Sequence, residues 1–236
     1  MPHGYTNDTR GDGASVVKRY LGSDASARQN RERTMLERLR GVLPVASIIP
    51  DAPDAVYVTS QLTPSGEGCS LRMSHLEGVH GQELIDAGLA GAVLRSCGAT
   101  LRQLQSIPLS LAAPDVDHLS GTVLVHGDYG PNNMLFDPRT VVVTGLLDWE
   151  WAHVGGSIED LAWCEWIVRM HHPGHVDALH KLFEAYGDQP PWWARRAAMV
   201  RRCQEMVDVF RSLGDAGDMA AELRRQRVRV TEGWSE

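Results

Sequence analysis

Apolar and polar positions alternate in two distinct rhythms along this chain. Residues 4–13 carry three glycines and a run of turn formers, and read as a loop. Residues 14–20 (ASVVKRY) then alternate as a strand does, and residues 25–41 place Met35, Leu36 and Leu39 on one helical face closed by Gly41. Two β-like runs follow, Ala55–Gln61 and Leu71–Leu76, with Gly66 and Gly68 between them as a hairpin signal. The period then lengthens. Across 82–106, Leu84, Ile85, Leu89, Val93, Leu94, Cys97, Leu101 and Leu104 predict one long amphipathic helix. Short strands are expected at Thr122–His126, Met134–Phe136 and Val141–Leu147, and helices near 157–170, 177–186, 191–213 and 217–230. The pattern is α+β: a small β-rich lobe over residues 1–76 and a larger helical lobe over 77–236, joined near 74–78.

Length and composition agree with a globular chain: 236 residues, 43% hydrophobic and 22% charged. No unbroken apolar run approaches the ~20 residues of a membrane span, and residues 1–13 lack the apolar stretch of a secretory signal. A cytoplasmic protein without membrane contact is expected. Cys69, Cys97, Cys164 and Cys203 are scattered and predict reduced thiols. Charge is uneven. Residues 128–188 hold 10 acidic against 3 basic side chains, which accounts for the whole net charge of −7. That sign excludes nucleic acid as the natural partner and favours metal ions or a cationic ligand, with a solvated acidic surface as the plainer alternative. Only Lys18 and Lys181 are lysine among 23 basic residues. A lysine kept on a strand of so arginine-rich a chain suggests a compact ammonium set among phosphate oxygens.

The densest chemistry lies in VLVHGDYGPNNMLF, residues 123–136. One apolar strand delivers His126, Gly127 and Asp128; a turn brings Asn133; a later strand ends in Asp148. An H-x-D-x-x-x-x-N segment followed by a strand-end aspartate meets the needs of phosphoryl transfer, in which one carboxylate orients the attacking hydroxyl while an amide and a second carboxylate hold Mg²⁺.

On HGDYGPNN, LLDWEWA and GGSIEDLAW, in that order and spacing, the chain resembles the aminoglycoside phosphotransferase and choline kinase family, which shares the two-lobed protein-kinase-like fold. VVKRY, RERTMLERLRGVLPV and LRMSHLEGV resemble that family's lysine strand, partner-glutamate helix and hinge. The resemblance implies ATP and Mg²⁺ as cofactors, with Asp128 catalytic and Asn133 and Asp148 on the metal. It implies Lys18 on the phosphates, oriented by Glu32, with the backbone of Ser74 and Leu76 on the adenine edge and Gly4, Thr6 and Asn7 in the loop over the phosphates. His126 braces the catalytic loop, and Asp160 anchors it. Only 17 residues precede Lys18, so the first strand is expected to be very short or missing.

The implied activity is transfer of the ATP γ-phosphate to a hydroxyl of a small cationic molecule, first an aminoglycoside or related antibiotic. Glu150, Glu159, Asp160, Glu165 and Glu205 are the candidate acceptor carboxylates. Two alternatives stand beside it. One is a metabolic kinase of choline, an amino alcohol or a sugar, with Trp149, Trp151, Trp192 and Trp193 as an aromatic cage. The other is a nucleotide-binding regulator that has lost catalysis. HHPGH at 171–175 reads as a surface loop, because Pro-Gly breaks the helical spacing of its histidines. Trp163 and Trp166 read as core.

Overall fold

The computed structural model describes residues 7–50, 69–115, 119–212 and 218–236. Gly4, Thr6 and the Ala55–Gln61 strand lie outside the described residues. The N-terminal lobe is a three-stranded antiparallel sheet, ordered β1 (Asn7–Gly11), β2 (Ser15–Tyr20) and β3 (Ser70–Ser74), with helix α1 (Ala25–Leu39) inserted between β2 and β3. The register sets Thr9 opposite Lys18 and Lys18 opposite Leu71, so the lysine sits on the central strand. A first strand is therefore present, where the sequence suggested a loop. Its turn-forming residues are held in the ladder by β2. The turn itself is confined to Asp12–Ala14, where the Asp12 carboxylate accepts the Ala14 and Ser15 N–H groups.

The chain then crosses to the larger lobe through residues 75–78. Strand β4 (Val79–His80) pairs with β6 (Met134–Phe136), which pairs with β7 (Val143–Leu146). Short helix α2 (Gly81–Leu84) leads into a wide turn at Ile85–Leu89 and then helix α3 (Ala90–Gln105). The single helix expected over 82–106 is thus kinked at Gly88, whose φ of +89° no regular helix accommodates. Taken whole, Gly81–Gln105 is long and apolar enough by composition to cross a membrane. Here Val93, Leu94, Cys97, Leu101 and Leu104 of that stretch have no exposed surface.

Helix α4 (Leu109–Ala112) follows, then β5 (Thr122–Val125), paired antiparallel with β8 (His153–Gly156). Helices α5 (Ile158–His171), α6 (Leu179–Tyr186), α7 (Trp192–Ser212) and α8 (Asp218–Glu232) complete the lobe. Helix α6 lies against α3 at Gly98, where a Cβ would come 2.9 Å from the Tyr186 nitrogen and closer still to the Leu182 carbonyl. Only hydrogen at that position permits so close an approach. The main core runs through both lobes, from Met35, Leu36 and Leu71 to Phe136, Trp149 and Leu182. A second cluster, around Trp163, Trp166, Met199 and Cys203, joins α5 to α7. The four cysteines are free thiols.

Candidate active site

Asp128 leaves β5 through Gly127, which has φ +86° and whose Cβ would lie 2.8 Å from that of Trp151. Glycine is what lets the 151 segment pack directly on the loop. The Asp128 carboxylate is held at both ends. Trp163 Nε1–H donates to Oδ1 at 2.7 Å, and Asn133 Nδ2–H donates to Oδ2 at 2.7 Å and to the Asp128 carbonyl at 2.8 Å. With its nitrogen committed, Asn133 keeps its amide oxygen for a cation. Burial and the nearby Asp148 raise the Asp128 pKa, opposed by the Trp163 bond, Arg202 and Asn133.

The loop is braced as the sequence suggested. His126 is fully buried; its Nδ1 accepts the Asp128 N–H at 3.3 Å, so Nε2 carries the proton donated to the Leu147 carbonyl at 2.8 Å. Burial pulls its pKa down to about 4, so it stays neutral and is a brace and not a base. Asp160, at the start of α5, accepts the His126 N–H at 2.7 Å and the Gly127 N–H at 3.0 Å.

Asp148 follows β7 with φ +68°, a left-handed conformation rare for a residue with a side chain. It pairs with Lys18. Lys18 also bonds Glu32 at 2.6 Å and lies 3.6 Å from Glu150. Burial disfavours the ammonium, yet Asp148, Glu32 and Glu150 outweigh it and hold the lysine charged well above its ordinary range. Glu32 in turn accepts from the Tyr20 hydroxyl at 2.6 Å and from the Trp149 N–H at 3.4 Å. Ligand oxygens of Glu32, Asp148 and Glu150 lie within 4.8 Å of one another. Three carboxylates against the Lys18 ammonium and the Arg28 guanidinium leave one negative charge over, which suits a hard divalent cation.

Between the lobes lies a cleft of about 390 Å³. Its lining includes the polar Lys18, Asn133 and Asp148 and the apolar Leu36, Met73 and Leu135. Ser74 and Leu76 also line it, as the hinge reading expects of them. Asn7 lines it too, but from strand β1: its amide donates to both Glu150 oxygens at 3.0 Å.

The proposed acceptor carboxylates do not gather in one open cleft. Glu150 is buried beside Lys18, bonded by Asn7 and by Arg28 at 2.9 Å. Glu165 has no exposed surface; Arg195 grips it at 2.5 and 2.6 Å and Arg169 at 2.9 Å. Asp160 is spent on the catalytic loop. Glu159 pairs with His153 at 2.9 Å, and Glu205 with Arg202 at 3.2 Å. Glu159, Asp160 and Glu205 line one small cavity beside Gly127. Glu150 and Glu165 are corrected to internal ion-pair partners, because each faces a buried arginine that needs a counter-charge. The tryptophan cage fares likewise: Trp149 is fully buried, and Trp192 lies under the guanidinium groups of Arg169 and Arg195.

Sequence reading missed the Trp163 bond to Asp128 and the Arg28–Glu150–Asn7 network. Spacing held a partial signal for each, placing Trp163 and Arg28 on functional helix faces but not naming their distant partners. Asp160 and Trp163 are three apart, and Arg28 and Glu32 four apart, so each pair shares a helix face.

Comparison with known proteins agrees with this geometry. The family described as "Phosphotransferase enzyme family" matches residues 110–199, the stretch that holds Asp128, Asn133, Asp148 and Asp160. The gentamicin complex of the aminoglycoside phosphotransferase APH(2″)-IIa superposes on this chain with a TM-score of 0.67 at 14% identity, covering 100% of this chain and 90% of its own. This chain has the fold of the aminoglycoside phosphotransferases. The ADP and hygromycin B complex of APH(4)-Ia gives a TM-score of 0.63 at 15% identity, covering 100% and 94%. APH(3″)-Id from Streptomyces rimosus, in complex with ADP and streptomycin, gives 0.59 at 18%, covering 79% and 85%. No curated protein matches the sequence. The resemblance and the two-lobed α+β class read from sequence are borne out, and the findings support a phosphotransferase.

Proposed function

We propose that the chain transfers the γ-phosphate of ATP to a hydroxyl of a small, amine-bearing molecule, an aminoglycoside in the first instance. The observation that carries the reading is that Lys18, Asn133 and Asp148 line one interlobe cleft, with a doubly held Asp128 bonded to Asn133 directly behind it. ATP would be held in this cleft by Met73 and the 74–76 hinge at its base and by Lys18 at its phosphates, all of which line it. Asn133 and Asp148 are the residues that would hold Mg²⁺, which supplies charge neutralisation on the phosphates.

The chain's own residues supply positioning. Lys18, fixed in direction by Glu32, neutralises phosphate oxygens without a planar fork's demand for space. Asp128 accepts a hydrogen bond from the acceptor hydroxyl and aims its oxygen; as the new O–P bond forms, the bond from the γ-phosphorus to the β,γ-bridging oxygen breaks, ADP leaves with that electron pair, and the hydroxyl proton passes to Asp128. The amine-bearing acceptor is supported by the aminoglycosides named in the complexes of the structural relatives.

Incubation with Mg·ATP and gentamicin, streptomycin, hygromycin B or choline, read by mass spectrometry, tests the reading. One added phosphate on an aminoglycoside, lost in Asp128→Asn, is expected. Phosphate on choline alone would favour the amino-alcohol kinase. Mg·ATP binding with no transfer to any acceptor would favour a nucleotide-binding regulator.

A further inference from the structure

Trp163 has two roles to account for. Its ring is 8% exposed and stacks on Trp166 at 4.3 Å and 4° within the α5–α7 cluster. Packing explains the ring, and a phenylalanine would serve it nearly as well. Packing does not explain the indole N–H, which donates to Asp128 Oδ1 at 2.7 Å. The stack is itself tied down, since Trp166 Nε1–H donates to the Thr231 hydroxyl of α8 at 2.9 Å. Arg202, on α7, meets the same place from another element. Its Nη2–H donates to the Gly127 carbonyl at 2.6 Å, one residue from Asp128. Its guanidinium carbon lies 5.9 Å from the ring centres of both Trp151 and Trp163. Glu205 holds the other arm of the fork at 3.2 Å.

We propose that Trp163 and Arg202 are positioning residues for the transfer, a strut that fixes the Asp128 carboxylate from the C-terminal helices. The inference rests on the phosphotransferase reading above. The physical argument concerns rotation. Asn133 alone pins one oxygen of the carboxylate and its own backbone carbonyl, which leaves the group free to turn about its terminal bond. A second donor on the other oxygen, carried by a stacked indole, removes that freedom. Orientation of this kind matters steeply, because a displacement of about 1 Å in a reacting group costs on the order of a hundredfold in rate. Arg202 holds the Gly127 peptide and so fixes the other end of the residue. The strut leaves the nucleotide cleft untouched: neither Trp163 nor Arg202 lines it.

The test uses Trp163→Phe, which deletes the donor and keeps an aromatic ring, and Arg202→Met, which keeps an apolar stem over the indoles and drops the fork. Each is expected to lower kcat for phosphate transfer to gentamicin, or for ATP hydrolysis with water as acceptor, by about tenfold. KM for Mg·ATP should stay within about twofold, since ground-state nucleotide binding is unaltered. The double variant should lose less than the product of the two single losses, because both act through one carboxylate. A full multiplicative loss, or a fall in kcat matched by an equal rise in KM for ATP, would overturn the strut.

A second measurement needs no turnover. The indole resonance that vanishes from the ¹H–¹⁵N spectrum in Trp163→Phe should move in both Asp128→Asn and Arg202→Met. An unmoved resonance overturns the inference. If that resonance moves while the wild-type chain neither hydrolyses ATP nor phosphorylates any acceptor, the strut stands as a structural link, its positioning role falls, and the phosphotransferase reading fails separately.

Discussion

At the residue scale, the nucleotide end of the cleft depends on charge placed at atomic precision. Lys18 is surrounded by Glu32, Asp148 and Glu150; Tyr20 and Trp149 anchor Glu32, and Asn7 and Arg28 anchor Glu150. Lys18→Arg preserves the charge but brings a planar fork into a space shaped for an ammonium. At least a tenfold loss in ATP affinity or rate is expected, about 1.4 kcal/mol, read from kcat and KM for ATP. Unchanged constants would make Lys18 a purely structural ion-pair partner. Glu150 gives a sharper contrast between sequence and structure. The sequence places it among acceptor carboxylates, because it belongs to an acidic run two residues beyond Asp148. In the fold it turns toward Asn7 and Arg28. Glu150→Gln should therefore raise KM for ATP several-fold and leave KM for gentamicin nearly unchanged; the reverse pattern would restore it to the acceptor side. Asp128 and Asn133 were legible because they share one short loop, and Asp148 because it follows the strand that pairs back on the strand after that loop. The direction in which Glu150 points depends on Arg28, 122 residues away, and no local spacing encodes that.

At the scale of elements, most strands and helices were legible from periodicity. Strand β6 falls where expected, and α5 to α8 do so within a few residues. Strands β1, β4 and β8, helix α4 and the kink at Gly88 were not. Strand β1 is built from turn-forming residues and exists because β2 offers it a ladder, a tertiary override of local propensity. The kink at Gly88 was hidden because apolar spacing continues across it. The join between β5 and α5 adds a pH-dependent expectation. His126 stays neutral in the fold down to about pH 4, whereas the unfolded residue takes up a proton near 6.5. Its contribution is thus present above pH 6.5 and is lost as pH falls toward 4. Asp160, pushed up to about 6 by burial, works oppositely: its contribution is present below its ordinary value of 3.8 and is lost as pH rises through 6. Thermal melts of wild type and His126→Asn at pH 7 and pH 5 separate the two. The stability gap should shrink at pH 5, because only the wild type carries the histidine's acid loss. A gap that is constant or widens would show that His126 is not held neutral.

At the scale of the whole molecule, the acidic excess over residues 128–188 must be divided between architecture and reach. Glu165 belongs to architecture: it neutralises Arg195, which is 1% exposed, and ties α5 to α7. Glu165→Gln leaves buried Arg195 with only the largely exposed Glu236 as counter-charge, so a loss of about 2 kcal/mol is expected, seen as a lower Tm with KM for the acceptor unchanged. Asp160 and Glu150 are likewise consumed inside the fold. What remains outward is smaller than the count of charges suggests: Glu159 is shared with His153, and Glu205 with Arg202. Steering of a cationic acceptor should then be real but shallow. Between about 20 and 200 mM salt, kcat/KM for gentamicin is expected to fall by roughly two- to fivefold, because the Debye length contracts from about 20 Å to below 10 Å. Mg·ATP, being anionic, should show a flat or opposite dependence and serves as the internal control. Glu205→Gln should flatten the gentamicin curve, since that carboxylate is half exposed beside the cavity at Gly127 and belongs to the outward share. A salt-independent kcat/KM for gentamicin would mean that the whole acidic segment is spent internally and that the acceptor is recognised by shape and hydrogen bonds alone.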